Sequence, residues 1–209
     1  MLSELQFPFS VIGLSEIKFK VNKDIITNVN ISGYDFISQP SNSSAGGVGL
    51  YINNNLTFTV LPELSVISYV DFEALWIELN CHSQSNLICG VVYSHPNGNL
   101  DNFMVYINKI IEKIDLWNKY SLIMGDFNVD HLNSCKPSND FSNTVASFFY
   151  QPHILQPSRI THHTATLIDN IWFNSIEHFT ISGNIVYGLT DHLANFIILS
   201  NLRSLPSNI

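Results

Sequence analysis

The stretch that decides the fold is Tyr120-Ser-Leu-Ile-Met-Gly-Asp126-Phe-Asn128-Val-Asp130. Its apolar beginning is typical of a buried strand, and the apolar run ends at Gly125. Asp126 and Asn128 follow two residues apart, so an extended chain points both side chains to the same side. Polar side chains at the carboxyl end of a buried strand are where an α/β protein usually carries its chemistry. The alternative is a β-turn that uses Gly, Asp and Asn only for their backbone preferences.

Composition places the chain among ordinary globular proteins. Its 209 residues fit one domain, and a hydrophobic content of 45% excludes a disordered chain. No apolar run reaches the roughly 18 residues of a membrane span, and the N-terminus lacks the basic region and cleavage site of a signal peptide. We therefore expect one domain over residues 1–200, a tail at 201–209, a monomeric chain and no membrane partner.

Charge and cysteine usage narrow the function further. The formal net charge is -8, from 9 Lys+Arg and 17 Asp+Glu. This balance excludes a protein that holds nucleic acid through a broad basic surface, but not an enzyme that contacts a few phosphates through a metal ion. Cys81, Cys89 and Cys135 have no metal-ligand spacing, so free thiols in a reducing, intracellular compartment are expected.

Hydrophobic periodicity predicts an α/β chain. Besides the strand in the opening stretch, strands are predicted at 9–16, 48–52, 72–79, 86–93, 166–173, 181–187 and 195–200. Helices are predicted at 100–119 and 140–150, where apolar residues recur at three- and four-residue steps. The first of these helices leads directly into the strand that ends at Asp126, and this is a helix-to-strand unit of the α/β kind.

Several predicted strands end in, or contain, side chains that bind ions or move protons. These side chains are Glu16, Tyr93 with Asn97, Asp126 with Asn128, Asp169, and Asp191 with His192. Oxygen ligands dominate the set and thiols are absent from it, which suits Mg²⁺ or Mn²⁺ better than zinc. An Asp-His couple provides a proton carrier or an imidazolium that stabilises a phosphoryl oxygen. Together these groups are what phosphodiester hydrolysis requires.

The order of these residues resembles the endonuclease/exonuclease/phosphatase superfamily, which includes deoxyribonuclease I and the apurinic/apyrimidinic endonucleases. The motifs are Leu14-Ser15-Glu16, Val92-Tyr93 with Pro96-Asn97, Gly125-Asp126-Phe127-Asn128, Pro157-Ser-Arg-Ile-Thr161, Leu167-Ile-Asp169-Asn170-Ile171 and Thr190-Asp191-His192. The likeness is greatest to the endonuclease domain of non-LTR (LINE-type) retrotransposons, to which the motif at 157–161 points. The resemblance spans nearly the whole chain.

The resemblance implies a fold, an activity and partners. The fold is a four-layer α/β sandwich like that of deoxyribonuclease I, in which two mixed sheets pack face to face with helices outside. The activity is Mg²⁺- or Mn²⁺-dependent hydrolysis of a DNA phosphodiester, which nicks one strand. DNA is the implied partner, a reverse transcriptase domain belongs to the parent element, and the nucleus is the implied location.

The resemblance also implies catalytic roles. Asp126 matches the aspartate that positions or deprotonates the attacking water, and Asn128 matches the neighbouring asparagine that holds the phosphate. His192 matches the histidine that faces the scissile phosphate, and Asp169 matches the aspartate that orients it. Tyr93 matches a tyrosine that contacts the phosphate.

Metal and DNA contacts are implied for four further residues. Glu16 matches the metal-binding glutamate, and Asp191 matches a late aspartate near the metal. Asn97 is expected close to the phosphate, although its distance from the tyrosine motif differs by one residue from that in some relatives. Arg159 is expected to contact the DNA backbone, because a guanidinium suits bidentate contact with phosphate.

The chain departs from the family pattern at its start. The family begins with an asparagine-bearing strand and a helix, and residues 1–8 are too few to hold both. We therefore predict an N-terminally incomplete domain that lacks this strand and helix. A catalytically impaired retroelement remnant that keeps the fold is the alternative function. A superfamily phosphatase acting on a phosphorylated lipid or sugar is a third, against which the motif at 157–161 speaks.

Overall fold

The computed structural model describes residues 7–18, 30–41, 46–68, 70–81, 85–188 and 190–200. Its strands are β1 (Val11–Ser15), β2 (Tyr34–Gln39), β3 (Val48–Asn53), β4 (Thr57–Val60), β5 (Val66–Ser68), β6 (Phe72–Asn80), β7 (Leu87–Ser94), β8 (Tyr120–Asp126), β9 (Gln151–Pro152), β10 (Arg159–Ile160), β11 (Ala165–Thr166), β12 (Asp169–Phe173), β13 (Thr180–Ile185) and β14 (Ala194–Leu199). Its helices are α1 (Leu100–Leu116) and α2 (Lys136–Ala146). The predicted tail at 201–209 lies outside the described residues.

The largest sheet has seven strands and is mixed. Strands β4, β6, β7, β8, β12 and β9 lie in this order, and β5 also pairs with β6. Strands β7 and β8 run parallel, while β8 and β12 run antiparallel. Helix α1 joins the parallel pair, as expected because parallel neighbours need a long crossover connection.

Two apolar cores cover the two faces of this sheet. On one face, Trp76 and Ile88 pack with residues of α1 such as Phe103 and Ile107. On the other face, residues of β6, β7, β8 and β12 pack against β3, for example through Leu50. Strand β3 belongs to a three-stranded sheet in the order β1-β3-β2, and β13 pairs with β14. The described residues therefore form helix, sheet and sheet layers.

A cleft of about 1300 Å³ runs between β1 and β14. Among the described residues, β1 pairs only with β3, and β14 pairs only with β13. Apolar side chains of both strands line the cleft, for example Leu14 and Phe196. Neither helix in the described part of the chain is long and apolar enough to cross a lipid bilayer.

The helices differ from their predicted bounds to different extents. Helix α1 agrees closely, and the Asn99 side chain caps its first turn by accepting a hydrogen bond from the backbone N–H of Asn102 at 3.2 Å. Helix α2 begins and ends four residues earlier than predicted. Pro137 lies in its first turn, where the missing N–H does no harm. The apolar pattern continues beyond Ala146, but Phe149 takes a φ of 64° that turns the chain away.

The strand predicted at 166–173 is interrupted in the structure. Strand β11 ends at Thr166, and Asp169 is the first residue of β12 instead of an interior one. The backbone between them donates to side chains: the N–H of Leu167 to Asp130 Oδ1 at 2.9 Å and that of Asp169 to Ser158 Oγ at 2.8 Å. These side chains satisfy backbone groups that a strand partner would otherwise satisfy, so the ladder stops here.

Candidate active site

Four polar side chains lie in one row across the seven-stranded sheet. Glu73 of β6 is in register with Tyr93 of β7, Tyr93 with Asp126 of β8, and Asp126 with Asp169 of β12. Residues in register on neighbouring strands point to the same face of a sheet. The row therefore presents carboxylates and a phenol toward the side where β1 and β3 pack.

Gly125 allows β8 to approach β7 at this row. Its φ is 138°, and a Cβ on Gly125 would lie 1.9 Å from the carbonyl oxygen of Val92. Beyond the strand, the N–H of Asn128 donates to Asp126 Oδ1 at 2.9 Å, and Asn128 has a φ of 50°. The Asn128 amide donates to the carbonyl oxygen of Ser94 at 2.6 Å. The segment from Asp126 to Asn128 thus contains a local hydrogen bond between side chain and backbone, and both polar side chains line the cleft.

Burial disfavours the ionised form of the Asp126 side chain. Its side chain is almost fully buried, and burial, with the charge of Asp169 next, raises the pKa of Asp126 to about 7. The N–H of Asn128 and the charge of His192 act in the opposite direction. An acid with this pKa exchanges protons near neutral pH, as a general base must.

The Asp126→Asn variant is expected to be more stable than the parent protein at about pH 8 in EDTA, and no more stable at about pH 4. The folded-state pKa of Asp126 is above its ordinary value of 3.8, so the folded chain loses stability as pH rises from about 4 to about 7. At about 1.4 kcal/mol per pKa unit, a rise from 3.8 to about 7 makes the gain at about pH 8 about 4 kcal/mol. Thermal unfolding measures it.

The control for this prediction is Asp140→Asn, which removes the same charge from an exposed position on α2. This control is expected to leave the melting temperature nearly unchanged at both pH values. Equal melting temperatures of the parent protein and Asp126→Asn at about pH 8 would contradict a raised pKa.

Asp169 holds His192 and is itself held by Ser158. His192 Nδ1 lies 2.9 Å from Asp169 Oδ2, and the Ser158 hydroxyl donates to the same oxygen at 2.9 Å. Ser158 is fully buried, and its oxygen accepts from the N–H groups of Ile168 and Asp169. The hydrogen bond with Asp169 raises the pKa of His192. Sequence reasoning found the motif that contains Ser158 but not the function of this serine.

Glu16 comes from the three-stranded sheet, where it directly follows β1. It follows the strand with a φ of 53° and is exposed. The hydroxyl of the buried Tyr93 donates to Glu16 Oε1 at 2.6 Å. Burial, followed by this hydrogen bond, raises the pKa of Tyr93, so the phenol stays protonated as a donor. Lys18 Nζ lies 4.0 Å from the second carboxylate oxygen of Glu16.

Asp191 and Arg159 contact each other at the edge of the site. Arg159 Nε donates to Asp191 Oδ2 at 2.7 Å, and both side chains are about 40% exposed. The hydrogen bond with Arg159 lowers the pKa of Asp191. Asp191 is predicted to bind a metal ion and Arg159 to contact DNA, and each of these roles competes with the hydrogen bond between the two side chains. An exposed ion pair contributes only about 0–1 kcal/mol, so it exchanges partners at little cost.

Most of the predicted site residues line the same cleft. They are Glu16, Asp126, Asn128, Arg159, Asp169, Asp191 and His192. Tyr93 reaches the cleft through its hydrogen bond to Glu16. Asn97 is exposed and is not part of the lining, whereas Pro96 is. The phosphate contact of Asn97 stays a prediction.

The donor atoms at this end of the cleft suit a hard divalent cation. Ligand atoms of Asp126, Asp169 and His192 lie within 4.8 Å of one another, and the Glu16 carboxylate lines the same cleft. Carboxylate oxygens with a single imidazole suit Mg²⁺ or Mn²⁺. A cation bound in the cleft beside this group would also offset the repulsion between the Asp126 and Asp169 carboxylates.

Comparisons with known proteins support the fold. No protein-family model and no curated protein matches the chain. The endonuclease domain of TRAS1, a telomere-specific non-LTR retrotransposon, has a TM-score of 0.64 and 11% identity, over 83% of this chain and 80% of that one. The catalytic domain of Xenopus laevis APE2 has a TM-score of 0.66 and 16% identity, over 97% and 87%.

A third solved structure shares the fold and contains nucleic acid. The 3′ phosphatase NExo from Neisseria, bound to a product DNA hairpin, has a TM-score of 0.66 and 10% identity, over 96% of this chain and 92% of that one. Identities this low show the fold alone. The chain therefore has the deoxyribonuclease I-like α/β fold of endonuclease/exonuclease/phosphatase proteins, as the sequence predicts.

Proposed function

We propose that this protein is a divalent-metal-dependent DNA endonuclease, derived from a non-LTR retrotransposon, that hydrolyses a phosphodiester bond and leaves a nick. The observation that carries the proposal is the grouping of Asp126, Asp169 and His192, whose ligand atoms lie within 4.8 Å of one another. Glu16 and Asn128 line the same cleft. A monomer acting in the nucleus, with a reverse transcriptase domain in the parent element, completes the proposal.

His192 is the group that faces the phosphate in this mechanism. Its Nδ1 is occupied by Asp169, so Nε2 is the nitrogen available to a substrate. The hydrogen bond with Asp169 raises the pKa of His192 and favours the imidazolium. An imidazolium N–H donates to a phosphoryl oxygen and stabilises the charge that develops there.

Asp126 is the general base in this mechanism. Its raised pKa, about 7, gives the carboxylate enough basicity to take a proton from an attacking water near neutral pH. The Asn128 backbone N–H holds one oxygen of Asp126 in place. The Asn128 side chain is tied to the carbonyl oxygen of Ser94 and is positioned beside the carboxylate, where it would contact the phosphate.

The metal ion would be held by Glu16 and Asp191, which line the same cleft and leave Asp126, Asp169 and His192 for the water and the phosphate. When bound, it supplies Lewis-acid stabilisation of the phosphoryl group and lowers the pKa of the nucleophilic water. The Tyr93 hydroxyl already orients the Glu16 carboxylate. To hold the ion, Asp191 would give up its exposed hydrogen bond with Arg159, and the guanidinium would then be available for a DNA phosphate.

DNA is the substrate that these features favour. Of the described residues that line the cleft, Lys18 and Arg159 carry permanent positive charge. With a net charge of -8, the chain is expected to bind DNA weakly without a divalent ion. The TRAS1 domain is an endonuclease and the NExo structure contains a DNA hairpin, and both share the fold of this chain, which supports DNA as the proposed substrate.

Purified protein is expected to convert supercoiled plasmid into the open-circular form with Mg²⁺ or Mn²⁺, and not with EDTA. Gel electrophoresis of the plasmid checks this prediction. An N-terminally extended form with an asparagine-bearing strand and helix is assayed in parallel. Activity only in the extended form would support the alternative that the 209-residue chain is a catalytically impaired remnant. Inactivity of both forms would overturn the proposed endonuclease, and release of phosphate from a phosphorylated lipid or sugar would favour a phosphatase.

A further inference from the structure

A second carboxylate–imidazole pair lies at the other end of the row formed by Glu73, Tyr93, Asp126 and Asp169. Glu73 is fully buried, and His95 Nε2 lies 3.1 Å from its Oε1 atom. In the described part of the chain, neither His95 Nε2 nor either Glu73 carboxylate oxygen makes a hydrogen bond, so the two side chains are in contact at ion-pair distance only. The row thus ends in a histidine on both sides: His95 at Glu73 and His192 at Asp169.

The His95 imidazole is the polar group that faces the buried Glu73 carboxylate. A carboxylate removed from water without a partner is strongly destabilising, so buried carboxylates are paired or neutral. His95 is itself largely buried, with 12% of its side chain exposed. The imidazole 3.1 Å from Glu73 Oε1 is the ion-pair partner that this buried carboxylate has in the described part of the chain.

His95 also packs directly on Tyr93. The two ring centroids are 4.8 Å apart, with an angle of 54° between the ring planes. The backbone N–H of His95 donates to the carbonyl oxygen of Asp71 at 2.8 Å, and Asp71 Oδ1 accepts from the N–H of Asn99. The backbone of His95 is therefore held by a hydrogen bond and its imidazole contacts Glu73, while the Tyr93 ring packs against the imidazole.

Two hydrogen bonds connect Tyr93 and its neighbour Ser94 to the candidate site. Tyr93 donates its hydroxyl hydrogen bond to Glu16 at 2.6 Å. Ser94, between Tyr93 and His95, accepts the side-chain hydrogen bond of Asn128 at 2.6 Å through its carbonyl oxygen. A shift of His95 would move the phenol and this carbonyl together.

We infer that the Glu73–His95 pair positions Tyr93, and through it the Glu16 carboxylate, in the phosphodiester site. The pair acts through Tyr93 and does not touch the substrate. The effect on catalysis rests on the proposed function, whereas the effect on the Tyr93 ring does not. Two measurements therefore separate the failure of this inference from the failure of the proposed endonuclease.

The first measurement is fluorine NMR of protein labelled with 3-fluorotyrosine, with the Tyr93 resonance assigned by Tyr93→Phe. Glu73→Gln and His95→Gln are expected to broaden this resonance or to give it a second position, because the ring loses its support. The control is Glu78→Gln, which removes a carboxylate from the same strand where it pairs with Lys119 at 2.8 Å. An unchanged Tyr93 line in both pair variants would overturn the inference, whatever the nicking assay shows.

The second measurement is a double-mutant cycle on the nicking rate. Glu73→Gln or His95→Gln is expected to lower kcat about 10- to 100-fold with little change in KM, as for residues that orient a functional side chain. In a Tyr93→Phe background the same substitutions are expected to change kcat by less than about twofold. Additive effects in the two backgrounds, or failure of both pair variants to fold, would show that the pair only stabilises the core.

Discussion

Replacement of Asp126 or His192 by alanine is expected to abolish plasmid nicking, with a fall in rate of about 10³-fold or more. Asp126→Ala removes the buried carboxylate that is proposed to act on the attacking water. His192→Ala removes the imidazole whose Nδ1 lies 2.9 Å from Asp169 Oδ2, and with it the proposed donor to the phosphoryl oxygen. Both rates are measured on supercoiled plasmid with saturating Mg²⁺, under single-turnover conditions.

A matched control for His192 is His162, which is exposed in the turn between β10 and β11. His162→Ala is expected to retain the rate of the parent protein. Asp169→Asn is expected to be less severe than His192→Ala, because the imidazole remains but loses its negative partner. If His192→Ala kept a rate within a few-fold of the parent rate, the assignment of His192 to the reaction would be wrong.

Gly125→Ala is expected to destabilise the protein by about 3–5 kcal/mol and to inactivate the site. An alanine Cβ would lie 1.9 Å from the carbonyl oxygen of Val92, and the φ of 138° is a conformation that L-residues rarely adopt. Backbone atoms cannot rotate away as a side chain can, so β7 and β8 must separate where Tyr93 and Asp126 stand in register. The expected fall in melting temperature is about 10 °C.

Gly33→Ala separates the effect of conformation from the effect of the clash. Gly33 has a φ of 86°, and a Cβ there would have no neighbour within 4 Å. Its substitution is therefore expected to cost only about 1–2 kcal/mol. Circular dichroism melting of both variants makes the comparison. Equal costs would mean that the sheet accommodates the methyl group at Gly125.

Many residues of the candidate site can be predicted from local sequence patterns. The sequence predicts polar residues after apolar runs at Glu16, Tyr93, Asp126 and the Asp191-His192 pair. This prediction is possible because each strand has its own apolar pattern and its own polar residues at its end. The structure brings these residues to one cleft. Asp126 accepts a local hydrogen bond from the Asn128 N–H and also lines the cleft, and the catalytic role of this segment stays a prediction.

Other parts of the site depend on residues distant in sequence. Ser158 interrupts the strand predicted through Asp169 and also holds the Asp169 carboxylate, and no local pattern encodes this pairing. Arg159 and Asp191 are 32 residues apart, yet they share a hydrogen bond that engages both predicted functions. Helix α2 ends early for a similar reason, because the turn at Phe149 overrides an apolar pattern that would suit a longer helix.

The sequence by itself determined the α/β class and the set of polar residues at the strand ends, and its motif order carries the resemblance that implies the deoxyribonuclease I-like fold. Periodicity and motif order are properties of short segments, and they survive in a single chain without its partners. Only the tertiary structure decided which polar residues share a row. Strand register placed Glu73 beside Tyr93 and gave it His95 as a partner, although Glu73 looks like an ordinary strand residue in the sequence. Register follows from how whole strands pack and pair, and no single strand contains that information.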